Sequence, residues 1–161
     1  SITHPKWHSI YIGFGYLKNP YGITYSDSTA CEKAIAIDPT VIYCSQRYEE
    51  ILKNQCFLLA KKDPIFVMKT ILAKSAKLLL TFLAFFNVGL VAAFYIKPPL
   101  RLTLPFAIAA CFYALPGILV MPIHAYVVGF VSMVTIFGIY TICLGTEKLG
   151  ERLVVRRKLF G

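Results

Sequence analysis

The chain has 161 residues, 57% of them hydrophobic and 16% charged, with a formal net charge of +9 and a mean hydropathy of +0.64. Soluble domains are nearer half apolar and about 25% charged, so a wholly water-soluble fold is excluded. The basic excess does not point to nucleic acid: the lysines and arginines cluster beside apolar runs, as at membrane flanks, rather than in an aromatic-interleaved groove.

Residues 1–25 mix Trp7, Tyr11, Phe14, Tyr16, Tyr21 and Tyr25 with glycines and prolines, which predicts an ordered loop with a short strand at Ser9–Ile12. A helix is predicted over Ser28–Ile37, with Ser26 or Asp27 as its cap. Asp38-Pro39 ends it, because the residue before proline avoids the α region. Val41–Tyr43 reads as a short extended piece. Ser45 then caps a second helix, in which Tyr48, Ile51, Leu52, Cys56 and Leu59 recur at helical spacing. Its other face carries Arg47, Glu50, Lys53 and Asn54, with Glu49 and Glu50 read as solvated.

Asp63-Pro64 opens the next helix, with a capping residue followed by proline at the first helical position. Over residues 64–77, Lys69, Lys74 and Lys77 fall on one face and Ile65, Val67, Met68, Ile71 and Leu72 on the other. This predicts an amphipathic helix lying on anionic lipid, with those three lysines at the membrane interface. A solvated lysine face over a helix packed on residues 45–61 is the other reading.

From Leu78 to Ile96, and again from Leu102 to Thr146, no Asp, Glu, Lys or Arg occurs. A bilayer core of about 30 Å takes roughly 20 apolar residues of helix. Three spans follow, at about 78–96, 102–121 and 126–144. Lys97–Arg101 joins the first two and Pro122–Ala125 the last two. Pro116-Gly117 predicts a kink, which neighbouring helices can satisfy in lipid. A basic tail at 147–161 ends the chain. The fold class is therefore mainly α: an integral membrane protein with three transmembrane helices, preceded by a small helical, loop-rich extramembrane segment at 1–63 and the interfacial helix. Lysine and arginine asymmetry places the tail in the cytoplasm and the N-terminal segment outside, in a multi-pass cell-membrane protein.

Chemistry-bearing residues gather near the start. His4 and His8 have the i, i+4 spacing of a helical metal pair. Pro5 and the nearby glycines oppose a long helix, however, and only Asp27 or Glu32 could serve as a third ligand, so no metal or cofactor is expected. The substrate-binding candidates are His4, Trp7, His8, Tyr11 and Asp27. The aromatic and His-rich loop suits stacking on a sugar ring, while Trp7 and the tyrosines could equally pack a small domain. Asp27 could act as a polar contact or simply cap a helix. No C-x-x-C pair is present. Cys31 and Cys44 could bridge in an oxidising compartment or stay reduced.

The strings HPKWHSIYIGFGYLKNPYGITYSD, PTVIYCSQRYEEILKN and KDPIFVMKTILAK, within residues 4–77, resemble the late extracytoplasmic segment and C-terminal helices of uncharacterised bacterial polytopic membrane proteins. Those are similar to membrane glycosyltransferases that use lipid-phosphate sugar donors. The resemblance implies a catalytic carboxylate in an early extracytoplasmic loop, which would precede Ser1, so no catalytic residue carries over to this chain. It implies a lipid-linked sugar as partner and a donor- or acceptor-facing loop around His4, Trp7, His8 and Tyr11. With no targeting segment near Ser1, the chain reads as the C-terminal part of a longer polytopic protein, whose remainder or partner subunits complete it. The alternatives are a non-enzymatic anchoring or assembly module in the bilayer and, on the Pro116-Gly117 kink and Asn87, a transporter fragment.

Overall fold

The computed structural model describes residues 5–160, with side chains described as far as Glu151. Six α-helices follow one another: α1 (Lys6–Gly13), α2 (Asp27–Ile37), α3 (Gln46–Lys62), α4 (Pro64–Ile96), α5 (Leu100–Leu119) and α6 (His124–Phe160), with a 3-10 turn at Phe14–Tyr16 after α1. No strand occurs among the described residues. The three last helices are each long and apolar enough to cross a membrane, and shorter helices precede them. The chain divides into two compact units, Ser1–Lys77 with Pro116–Tyr126, and Leu78–Leu115 with Val127–Gly161.

In the first unit, α3 carries the predicted apolar stripe: Tyr48, Ile51, Leu52, Cys56 and Leu59 are all buried. Ser45 caps it, its hydroxyl accepting from the Tyr48 N–H at 3.2 Å. Ala30 and Ala34 of α2 are fully buried, the small side chains that let helices pack closely. The strand predicted at Ser9–Ile12 is instead helical, as part of α1. The physical reason lies in Glu49, whose carboxylate accepts from the N–H groups of Trp7 at 2.7 Å and His8 at 3.1 Å. Those are donors that a helix start leaves without partners, and an acidic group there also meets the positive end of the helix dipole. Glu49 is therefore half-buried rather than on a solvated face. The extended piece predicted at Val41–Tyr43 is irregular, and Cys44 turns with φ 58.

Asp63 caps α4, accepting from the Phe66 N–H at 2.9 Å, and Pro64 takes the first helical position. The predicted interfacial helix and first span are one unbroken helix of 33 residues, about 50 Å long at 1.5 Å per residue. The lysine face needs correction. Lys69 and Lys77 are exposed, but Lys74 is 2% exposed. Its Nζ donates to the Val120 carbonyl at 2.8 Å and lies 3.5 Å from that of Leu119. The end of α5 leaves carbonyls without intrahelical donors, and a buried ammonium needs acceptors; each answers the other. The Val120 carbonyl also passes so close to Gly13 that a Cβ there would run into it.

In the second unit, Lys97 ends α4 with φ 52, and Pro98 prevents the helix from continuing. Gly89 of α4 and Gly138 of α6 let the two backbones approach: a Cβ on Gly89 would stand 2.5 Å from the Gly138 Cα. Such small-residue contacts are how helices associate in lipid. The buried Thr141 hydroxyl lies between the carbonyls of Gly138 at 2.9 Å and Gly89 at 3.0 Å. Phe86, Phe106 and Phe137 fill the space around this contact, the last two stacked at 3.9 Å. Leu80, Phe85, Val91 and Phe94 are more than half exposed, as lipid-facing side chains are. The second span ends at Leu119 rather than Met121, and the third begins at His124 and runs helically through the predicted tail to Phe160.

Candidate functional site

The first unit brings two of the predicted site residues together. His8 lies on the buried side of α1 at 3% exposure. Its Nε2 is 2.9 Å from Asp27 Oδ1, and its Nδ1 is 2.6 Å from the Tyr48 hydroxyl. Asp27 is the first residue of α2 and its side chain is 77% exposed. A carboxylate at a helix start is favoured by the dipole, so local structure and the His8 contact hold it in one place.

The proton assignments follow from chemistry. Burial, reinforced by the Cys31 thiol 3.8 Å away, pushes the Tyr48 phenol well above its ordinary range, so it keeps its proton. The phenol and Nδ1 share one hydrogen bond, and Nε2 holds the other with Asp27 Oδ1, the carboxylate accepting from the ring. Tyr43 presents its ring edge-on to His8, with centroids 5.8 Å apart. The result is a chain from a buried phenol through an imidazole to a surface carboxylate, fixed at each step by the group behind it.

The remaining candidates are placed differently. Trp7 is half-buried against Phe57, 5.6 Å between centroids, with the Lys53 ammonium 5.9 Å over its ring. It belongs to α1–α3 packing rather than to the His8 network. Tyr11 is 5% exposed in the core and lines a separate cavity. His4 lies outside the described residues. The members that sequence reasoning missed are Tyr48, Cys31, Tyr43 and Glu49. Tyr48 stood on the apolar stripe of α3 and read as core, which it also is; its hydroxyl was the only signal of a second role.

All five cysteines carry free thiols. Burial, with the nearby Glu49 charge, pushes the Cys56 thiol up to about 12, which leaves it a packing group. Among the described residues no three His, Cys, Asp or Glu side chains form a group that could hold a metal ion.

Fold and composition together define a multi-pass membrane protein with a small helical unit joined to its spans. Beyond that class, the chain matches no protein family, curated protein or solved structure with which it was compared.

Proposed function

We propose that this chain is the substrate-contacting, C-terminal part of a membrane glycosyltransferase, with its catalytic carboxylate supplied from outside the chain and a lipid-linked sugar as donor. The observation that carries the reading is the Asp27–His8–Tyr48 chain at 2.9 and 2.6 Å. Asp27 is an acceptor-only group, exposed yet held in position, which suits the hydroxyls of a sugar. The phenol behind the imidazole holds the ring, so the His8 Nε2 contact to Asp27 Oδ1 keeps its orientation. In this reading the first unit faces the outside of the cell membrane and the C-terminal end of α6 the cytoplasm. The basic residues of the Lys97–Arg101 connector and the tail support that orientation.

Asp27→Asn and His8→Gln are expected to lower the kcat/KM of glycan transfer by about tenfold, the worth of one charged hydrogen bond, with Asp38→Asn as an unaffected control. Unchanged transfer at normal expression would remove these residues from substrate contact. For the orientation, single cysteines at Ser28 and at Glu147 are challenged with an impermeant thiol reagent on intact cells. Reaction at residue 28 alone is expected; reaction at 147 alone would reverse the topology.

The second reading is a non-enzymatic anchoring or assembly module. It is favoured by the fact that both His8 ring nitrogens are satisfied within the unit, as in a purely structural histidine. In that case the same variants lower thermal stability and leave transfer untouched.

A further inference from the structure

Apart from the His8 network, the first unit carries a half-open pocket of about 170 Å³ lined by Tyr11, Tyr21, Lys33, Gln55 and Lys62, with Ile23, Leu58 and Leu59 as its apolar wall. At roughly 30 Å³ per water, it holds a group of several heavy atoms. Two features distinguish it from an ordinary surface dent. Tyr11 is 5% exposed and lines this space. No buried side-chain polar atom among the described residues lacks a partner, so its hydroxyl, which bonds no described side chain or backbone group, opens onto the pocket. Burial raises its pKa, so it keeps its proton and can donate to a group in the pocket. The lining also carries two ammonium groups, Lys33 and Lys62, and no carboxylate.

The mouth is built rather than incidental. Asn19 ties the loop ahead of α2, donating to the Leu17 and Ile23 carbonyls at 2.9 and 2.8 Å and accepting from the Tyr21 and Ile23 N–H groups at 3.1 Å each. The Tyr21 hydroxyl donates to Asp63 at 2.7 Å, which fixes its ring, and the Lys62 ammonium lies 5.7 Å over that ring. Tyr21 spends its proton on Asp63, so the donors left for a ligand are Tyr11, Gln55, Lys33 and Lys62.

We infer that this cavity binds a phosphate monoester group, with Lys33 and Lys62 neutralising its charge and the Tyr11 hydroxyl and Gln55 amide donating to its oxygens. Lysine serves phosphate as a point charge, and the apolar wall accommodates the carbon to which the ester is joined. The site stands independently of the transferase reading: it shares neither Asp27 nor His8, and either can fail alone. The monoester could be a soluble metabolite or the headgroup of a membrane lipid.

The test uses the full chain in phosphatidylcholine nanodiscs titrated with glycerol 3-phosphate, followed by intrinsic fluorescence, beside nanodiscs doped with phosphatidic acid, followed by thermal unfolding. Saturable binding in neutral discs identifies a soluble ligand. Stabilisation confined to the doped discs identifies a lipid headgroup. In either arm, Lys33→Gln/Lys62→Gln is expected to weaken the response about tenfold or more, and Tyr11→Phe, which keeps the ring and its packing, about fivefold. The control Lys6→Gln/Lys61→Gln removes the same charge elsewhere and is expected to retain binding. No saturable response to either probe would overturn the inference. So would indifference to Tyr11→Phe, or an equal loss in the control, since both would reduce the effect to surface charge.

Discussion

At the residue scale, the first unit depends on a few side chains that meet needs arising far along the chain. Glu49 accepts two backbone N–H groups at the start of α1, and an eight-residue helix is too short to hold itself in water. Glu49→Ala leaves both donors half-buried without a partner, a loss of about 1–3 kcal/mol. It is expected to lower the thermal unfolding midpoint and to expose Trp7, visible as a red shift of its fluorescence. Glu49→Gln keeps an acceptor and should recover part of the loss. Lys74 plays the complementary part, an ammonium answering carbonyls at Leu119 and Val120. A helical wheel over residues 65–77 could not reveal this, because periodicity reports a helix's own faces and not what another segment brings to one of them.

At the element scale, helix ends and close helix contacts carry the predictions. The backbone N–H of Phe66 and the hydroxyl of Tyr21 both bond the Asp63 carboxylate and hold its pKa below the ordinary carboxylate range. A depressed folded pKa means stability that is present above the unfolded value near pH 3.9 and lost as the pH falls through the folded one. The unfolding midpoint of the wild type should therefore exceed that of Asp63→Ala at neutral pH, and the gap should close below about pH 4. A gap independent of pH would show that the charge plays no part. In the second unit, Gly89→Leu forces α4 and α6 apart at Gly138 and breaks the shared Thr141 contact. A hydrogen bond between helices in lipid is worth about 0.6 kcal/mol on average, so lost backbone packing dominates. Thr141→Val should accordingly be mild and Gly89→Leu severe when unfolding is followed in detergent.

At the scale of the whole molecule, the three helices long and apolar enough to cross a membrane were legible because they rest on length and charge alone. The uncharged stretches 78–96 and 102–146 lie largely in those helices. The ends at Ile96, Leu100, Leu119 and His124 fall within a few residues of the predicted ones, while α4 starts well before Leu78 and α6 runs well past Leu144. α3 was legible as well, from the Ser45 cap and the recurrence of Tyr48, Ile51, Leu52, Cys56 and Leu59. What stayed hidden was whatever depends on partners distant in sequence. The region of α1 read as a loop with a short strand at Ser9–Ile12 because its acceptor is the distant Glu49, and the His8 contact to Tyr48 spans 40 positions. Of the candidate site, His8 and Asp27 could be nominated by residue type, but only the fold joined them and set Trp7 and Tyr11 apart. The Glu49 contact also orders events in time. Glu49 lies 42 residues after Trp7, so at about 5–20 residues per second of synthesis the α1 segment emerges roughly 2–8 s ahead of its acceptor. For that interval an aromatic, uncapped segment rich in backbone donors waits without its native partner, and a chaperone or the membrane surface has its one opportunity to hold it.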